Sequence, residues 1–570
     1  MMKKFLILIL GFIFVFSSCS TSKIDEPGIE KPEIEEFNVK EPEIPGKIDE
    51  LRNLEVFCRV WGLVKYHHPA YSLSESRSAD TDLMALLPKI REAGANTRNW
   101  LLLKWIKELG KYESDKGQWD KYVQDWGSAF SVTPKMIVDL AWMEDVNMLG
   151  EDLSKELGKL RYAVRTSRNK YLETTSVNVT FYEEAYSQLR DFSLEYRLLA
   201  LFRYWNIIEY FYPAKYLTDH NWNDVLLTHI PKFIEAEGEL EYRKAVARLI
   251  AEIHDTHAAS DMIPAFGNYY LNIPLAFVED KLVAISAYGG IKRGDEILSI
   301  DGKLPSTIKD KVAEYFSISN EGGLLRETAR YATMTNNQSI TITYSSDGAT
   351  KTETFFTIQY RSNPTMLHAA SYLAYRLVED GTIGYIDAGY YIASEASVMM
   401  NMFNGTKGII IDMRKYPNEI MFQLTYGYFT NIVKEFVRFG QADAATPGVL
   451  YCFNYTTNYS SNYGTYNGKV IIIVNENTQS QGEFTTMQLQ TIPGSITIGS
   501  QTAGADGNTS TFYLPGNIQT IISGLGVYYP SETETQRVGV RIDQIVKPTI
   551  AGIKAGRDEL YDKAVQLINK

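Results

Sequence analysis

Ser480 lies three residues ahead of Glu483 in Asn475-Glu476-Asn477-Thr478-Gln479-Ser480-Gln481-Gly482-Glu483-Phe484, after the apolar run Val470 to Val474 and before an amphipathic stretch through Gln490. This pattern places Ser480 at the start of a helix, where unsatisfied backbone N–H groups and the positive end of the helix dipole face its hydroxyl. Attack by that hydroxyl on a carbonyl would leave an oxyanion among ready donors, the Gln481 N–H among them. The same residues also fit a structural N-cap serine, with Glu483 as the other half of a capping box. A serine needs a neighbouring base to become nucleophilic. Candidate imidazoles occur in Ala251-Glu252-Ile253-His254-Asp255-Thr256-His257, and an unperturbed pKa of about 6.5 suits proton transfer near neutrality. His254 and His257, three apart on a predicted helical face, could instead hold a metal or serve structure alone. No Glu lies between them and no obvious third ligand follows, so no metal site and no cofactor are assigned.

These residues need a scaffold, and at roughly 150 residues per domain a chain of 570 residues implies three to four domains. With 45% hydrophobic and 22% charged residues the composition is that of a globular protein. A net charge of −12 gives no electrostatic footprint for nucleic acid. Three cysteines, none in a Cys-x-x-Cys pair, cannot build a disulfide framework or a zinc ribbon.

The first cysteine has a positional reading. Lys3-Lys4, the apolar stretch Phe5 to Phe16 and Ser17-Ser18-Cys19 follow the layout of a secretion signal too short to remain as a membrane span. Small residues before Cys19 resemble the lipobox of bacterial lipoproteins, with Phe16 where Leu is commoner. That resemblance implies lipidation of Cys19, export, and contact with the membrane through this anchor only; an ordinary cleaved signal is the alternative. Between Lys23 and Glu50 there are ten acidic and four basic residues, which is half of the net charge of the whole chain, in a Pro- and Glu-rich segment that reads as an extended tether.

An internal echo organises the next part. Arg59-Val60-Trp61-Gly62-Leu63-Val64-Lys65-Tyr66-His67-His68-Pro69-Ala70 recurs 144 residues on as Arg203-Tyr204-Trp205-Asn206-Ile207-Ile208-Glu209-Tyr210-Phe211-Tyr212-Pro213-Ala214. Apolar residues at i, i+1, i+4 and i+5, with Pro closing each copy, predict buried helices. Because Phe211 and Tyr212 replace His67 and His68, aromatic packing accounts for that pair better than a metal does. Most of 47–262 is expected to be helical.

Strand patterns take over after about Ile263. In Gly290-Ile291-Lys292-Arg293-Gly294-Asp295-Glu296-Ile297-Leu298-Ser299-Ile300-Asp301-Gly302, Gly294-Asp295 makes a turn and Asp301-Gly302 marks a hairpin. This segment resembles the signature of bacterial PDZ domains, which bind peptides by strand addition. Further on, Thr382 to Ala388, Gly408 to Met413, Lys469 to Asn475 and Ser495 to Ser500 predict buried parallel strands of an α/β domain, with functional residues just past their carboxyl ends. The tyrosines Tyr451, Tyr455, Tyr459, Tyr463 and Tyr466 crowd a polar segment read as a solvated insertion.

A PDZ-like unit followed by strand, Ser-x-x-Glu and helix resembles the tail-specific (C-terminal processing) serine peptidases. Gly384-Tyr385-Ile386, Ile411-Asp412-Met413-Arg414, Gly499-Ser500-Gln501-Thr502-Ala503-Gly504, Gly539-Val540-Arg541-Ile542-Asp543 and Gly556-Arg557-Asp558 carry the likeness over about 265–570. It implies Ser480 as nucleophile. Two departures accompany it: the lysine that many members use as base is Ala505 here, with no lysine between Lys469 and Lys547, and Arg414 leads into Lys415-Tyr416-Pro417-Asn418 rather than Pro-Gly-Gly. The tricorn-type branch is similar in carrying a Ser-His pair ahead of its PDZ unit within a Glu–Ser–His–Ser tetrad. Thr256-His257 matches that place, which implies His257 as base and Thr256 as its orienting hydroxyl. The carboxylate then falls to Glu532 or Glu534, with Asp506 a weaker rival; Gln536 lies nearer the motif but carries no charge.

The expected architecture is multidomain: signal 1–18, tether 19–46, helical domain 47–175, helical cap with His257 176–264, PDZ-like domain 265–365, and an α/β peptidase domain of the crotonase/ClpP-like type at 366–570. The expected function is an exported serine endopeptidase cutting unfolded or C-terminal peptide segments through Ser480 and His257. The alternatives are a non-catalytic peptide-binding lipoprotein on the same scaffold and, more remotely, a metal hydrolase using His254 and His257.

Overall fold

A computed structural model describes residues 37, 39–130, 133–175, 177–258, 263–360, 373–421, 425–430, 433–456 and 466–570. The signal, Cys19 and most of the tether, together with Tyr459 and Tyr463, lie outside the described residues.

The echo of 144 residues is a duplicated three-helix unit. Glu50–His67, Ala79–Glu92 and Ala95–Glu108 form the first copy, and Leu194–Phe211, Trp222–Glu235 and Gly238–Ala251 the second. In each, the motif tryptophan fixes the next helix by the same bond: Trp61 Nε1 donates to the Ala79 carbonyl at 2.8 Å and Trp205 Nε1 to the Trp222 carbonyl at 2.8 Å. The two motif helices cross at Gly62, where an added methyl would meet Asn206 Oδ1 at 1.7 Å, and Asn206 Nδ2 donates across the crossing to the Cys58 carbonyl at 3.0 Å. His67 packs against Trp119 and Tyr210, and His68 against Tyr112, so both are ring-packing residues.

The helical part does not stand apart. Its core continues into Ala442, Leu450, Cys452, Phe512, Leu514, Ile518 and Ile522 of the C-terminal region. The short strand Thr133–Met136 pairs with Val449–Thr456, which pairs in turn with Glu435–Ala442 and through it with Leu525–Tyr528. Tyr451 is therefore a buried residue of a central strand, not part of a solvated insertion. Alternation is weak in Val449-Leu450-Tyr451-Cys452 because both faces are covered there, which hides the strand from a period-2 reading.

Between the helices and the C-terminal sheet lies a five-stranded antiparallel sheet in the order Leu275–Val278, Lys281–Ala284, Glu296–Ile300, Ser339–Ser346, Ala349–Phe356. Asp301 and Gly302 both take positive φ, 48° and 74°, as a two-residue hairpin turn of the primed type requires. Helices Pro305–Tyr315 and Glu321–Tyr331 fill the connection between its third and fourth strands, and the second of them lies against the edge strand Leu275–Val278.

The C-terminal sheet runs Tyr375–Val378, Ile383–Asp387, Gly408–Asp412, Lys469–Val474, Ile496–Gly499, Gln544–Ile545, parallel except for its first strand. Ile410, Ile471 and Ile473 meet the helix Glu559–Asn569 on one face, while Ile409, Ile411, Val470 and Ile472 face the core around Met399, Phe403 and Met487 on the other. Burial on both faces is why these strands read as unbroken β-branched runs.

Candidate active site

Ser480 follows the strand Lys469–Val474 and caps the helix Gln481–Leu489. Its φ of 54° and ψ of −120° lie in a region that L-residues rarely occupy, so the turn turns sharply from strand into helix and is held in strain. Three bonds impose it. The Ser480 N–H donates to the Ala505 carbonyl at 2.9 Å and is also 3.2 Å from Glu483 Oε2, and Thr478 Oγ1 donates to the Met413 carbonyl at 2.9 Å. Gln481 is the first residue of the helix, so its N–H is among those that the helix cannot satisfy internally.

Glu483 is completely buried and does more than close a capping box. Its carboxylate accepts from Thr502 Oγ1 at 2.5 Å, the Gly504 N–H at 2.8 Å and the Ala505 N–H at 3.0 Å. Burial pushes its pKa up while these donors pull it back. It ties the start of the helix Gln481–Leu489 to the segment 502–505. Asp506, next in chain, is buried with no partner for Oδ2 among the described residues; burial and then the neighbouring Glu483 hold its carboxyl well above the usual carboxylate range.

His257 follows the second three-helix unit. The helix Gly238–Ala251 ends before the histidines, and His254 has a φ of 48°, so the two do not share a helical face as their spacing predicts. His254 turns to Asp219 at 3.1 Å, whereas His257 Nδ1 is bonded to Ser523 Oγ at 2.8 Å. Among the described residues no group of three His, Cys, Asp or Glu is placed to hold a metal ion. Asp255, fully buried, accepts from the Ser523 N–H at 2.6 Å and the Ser523 hydroxyl at 3.0 Å. Burial lowers the His257 pKa, partly offset by the Asp255 charge, and the imidazole is neutral near neutrality. Its Nε2 is buried and has no hydrogen-bond partner among the described residues.

A hydrogen-bonded stretch of backbone links the surroundings of Ser480 to those of His257. Ser480 binds Ala505; Gly507 sits so close to the Leu525 carbonyl that a methyl there would be 2.2 Å from it; the Asn508 carbonyl accepts from Gly524 and Leu525; and Ser523 binds His257. A hydrogen-bonded shell surrounds this stretch. Arg537 donates to the Leu217 and Ser319 carbonyls and to Asp219, and Asn320 Nδ2 to the Thr502 carbonyl at 2.8 Å, so all three regions of the chain converge here.

The other expected members of the site lie elsewhere. The Thr256 hydroxyl donates to Ser319 Oγ and accepts the Ser319 N–H, both at 2.9 Å, so it anchors that loop and does not orient His257. Glu534 accepts from the Tyr216 hydroxyl, and Glu532, with 71% of its side chain exposed, faces Arg438 at 3.4 Å. Neither carboxylate reaches His257, because Tyr528 to Glu534 forms a turn closed by the pairing of those two residues. The partners that His257 does have, Asp255 and Ser523, were not singled out from sequence. Asp255 was legible only as an acid two residues before the histidine, and Ser523 is 266 residues distant with no motif around it.

Residues 319–546 match the model of peptidase family S41. The C-terminal region is a peptidase family S41 domain. The match begins just ahead of the helix Glu321–Tyr331 and ends with the last strand of the parallel sheet, so it contains Ser480 and Ser523 but not His257. Among solved structures, mature CPAF is similar with a TM-score of 0.51 at 12% identity, over 66% of this chain and 98% of that one. Mature CPAF complexed with lactacystin is similar with a TM-score of 0.50 at 12% identity, over 66% and 99%. At that identity the likeness is one of fold. The sequence matches no curated protein significantly.

Proposed function

We propose that this protein is a serine endopeptidase with Ser480 of the S41 domain as nucleophile and His257, ahead of that domain, as general base. The observation that carries the reading is the strained Ser480 turn at a helix N-terminus, linked through one hydrogen-bonded backbone stretch to Ser523 and so to a buried imidazole whose Nε2 has no partner among the described residues. His257 would take the Ser480 proton as Oγ attacks a peptide carbonyl. The oxyanion would be met by the Gln481 N–H, and the imidazolium would then protonate the leaving amine. The absence of a lysine beside Ser480, where buried Ala505 stands, favours Ser-His over Ser-Lys chemistry.

The five-stranded sheet is read as a PDZ-like unit that takes an unfolded or C-terminal peptide segment along its edge strand Leu275–Val278 beside Glu321–Tyr331. The N-terminal segment is read as a signal with lipidated Cys19, which makes the protein an exported, membrane-tethered peptidase. No helix among the described residues is long and apolar enough to cross a membrane.

A second reading, a peptide-binding scaffold without catalysis, draws support from the departures in sequence and from a His257 Nε2 that makes no bond to Ser480. One experiment separates the two. The protein lacking residues 1–46 is incubated with a fluorophosphonate probe and with an unfolded protein. The peptidase reading expects a label on Ser480 and cleavage, both abolished by Ser480→Ala and His257→Ala. No label and no cleavage, with peptide binding retained, would establish the scaffold.

A further inference from the structure

We propose that Asp255 and Ser523 are the positioning residues of His257, a carboxylate acting through a hydroxyl to hold the imidazole in the tautomer that can accept a proton. The inference rests on the Ser480–His257 reading and assigns to two other residues the role that the resemblance implies for Thr256 and for Glu532 or Glu534.

The assignment follows from counting protons. Asp255 is fully buried, and its carboxylate meets three donors: the His257 N–H at 3.0 Å and the Ser523 hydroxyl at 3.0 Å on Oδ1, and the Ser523 N–H at 2.6 Å on Oδ2. A carboxylate so surrounded is ionised and can only accept. Ser523 Oγ has one proton, and it is committed to Asp255. The 2.8 Å contact between Ser523 Oγ and His257 Nδ1 must then be donated by the imidazole. Nδ1 carries the hydrogen, and the lone pair is left on Nε2, the buried atom without a partner among the described residues.

The opposite arrangement fails on both ends. With the proton on Nε2, a buried N–H would have no acceptor, and Ser523 would have to turn its hydroxyl from the Asp255 carboxylate to Nδ1. Direct pairing of Asp255 with the ring is ruled out by its distance of 3.7 Å, beyond a hydrogen bond. Asp255 is the one charged group that bears on His257 among the described residues. Once His257 has accepted the Ser480 proton, the same relay faces the imidazolium, with Asp255 supplying the counter-charge through Ser523.

The geometry also links regions of the chain. Asp255 and His257 come from the helical part, Ser523 from the end of the strand Ile518–Ser523 in the S41 domain. The base is therefore set in its working tautomer only when the two parts are docked.

The test uses the protein lacking residues 1–46 and its variants Asp255→Asn, Ser523→Ala and Ser523→Thr. Asp255→Asn is expected to lower kcat by about 10²- to 10⁴-fold with little change in KM, since an amide can present a donor to Ser523 and release the wrong tautomer. It should also move the acid limb of kcat/KM to lower pH, because a stabilising negative charge is lost. Ser523→Ala should lower kcat by about 10- to 100-fold, and Ser523→Thr, which keeps the hydroxyl, should restore most of it. Variants with normal kcat and an unmoved acid limb, beside inactive Ser480→Ala and His257→Ala, would overturn the relay and leave the peptidase reading standing. Full activity in Ser480→Ala or His257→Ala would instead overturn that reading. Independently of activity and of any variant's folding, nitrogen-15 NMR of the histidines in the unsubstituted protein near pH 7, with the His257 signal assigned by its loss in His257→Ala, should show His257 protonated at Nδ1. Protonation at Nε2 would overturn the proposal outright.

Discussion

The Ser480 N–H donates to the carbonyl of Ala505 at 2.9 Å, so the residue standing where the proposed reading would look for a lysine is fastened to the backbone of the proposed nucleophile. Ala505 is fully buried, and its own N–H is held by Glu483. A lysine grafted here has no room for four methylenes and would bring a charge into a buried site. Ala505→Lys is expected to destabilise the fold by about 3 kcal/mol and to lower, not raise, the labelling of Ser480. Urea unfolding and probe labelling of the same preparation check both halves; an active and stable variant would mean that a Ser-Lys site can be built on this backbone.

Glu483 is the next point of leverage. It accepts from the Ser480, Gly504 and Ala505 N–H groups and from Thr502. An amide in its place turns an NH2 group toward some of these donors and leaves buried N–H groups unpaired. Glu483→Gln should therefore cost about 2 to 4 kcal/mol and relax the strained Ser480 turn, while Glu483→Asp loses only reach and should cost less. Unfolding midpoints rank the two. Equal stability of Glu483→Gln and the natural protein would show that the carboxylate does not hold the turn.

The pH dependence follows from His257. Burial lowers its pKa below the usual 6.5, and Asp255 offsets only part of that. As the proposed general base, His257 must be neutral to accept a proton, so the rate of Ser480 labelling should rise with pH through a midpoint below 6.5 and be flat by neutrality. The same shift acts on stability with the same sign. Because the folded state prefers neutral His257, its contribution is full above the unfolded-state pKa and is lost as pH falls through the folded value. His68, held at about 4 chiefly by burial, adds to the acid loss in that window. A labelling midpoint above 6.5 would contradict the burial seen here.

How much of this was legible in sequence depended on whether a contact is local. The Ser480 turn, the Asp301-Gly302 turn and the doubly buried strand Lys469–Val474 are each specified within about ten residues, and each is found where those residues place it, although Asp301-Gly302 leads into the helix Pro305–Tyr315 and not into a paired strand. The partners of His257 are not local. Thr256 adjoins it in sequence, yet the chain turns there after Ala251 and sends the threonine hydroxyl to Ser319. Ser523 arrives from the far end of a hairpin, in Ile521-Ile522-Ser523-Gly524, where nothing in the residue types marks it. A sheet containing Thr133–Met136 and Val449–Thr456 likewise joins segments more than 300 residues apart, so the helical part could not be seen from sequence to share its core with the S41 domain.

That shared core rests on the crossing of the two motif helices, which gives a last prediction. At Gly62 an added methyl would fall 1.7 Å from Asn206 Oδ1, and Asn206 cannot swing away without giving up its bonds to the Cys58 and Phe202 carbonyls. The helices must then separate, and the second of them leads through Gly238–Ala251 to the His257 loop. Gly62→Ala is expected to lose about 2 to 4 kcal/mol despite the better helix propensity of alanine, with a fall in Ser480 labelling because the His257 loop is displaced. Gly158 supplies the control, since nothing lies within 4 Å of a methyl there and it sits within the helix Val146–Leu160. Gly158→Ala should be neutral or stabilising by up to about 1 kcal/mol. Thermal unfolding of the pair decides the point: equal behaviour of the two variants would show that the crossing can open without disturbing the site.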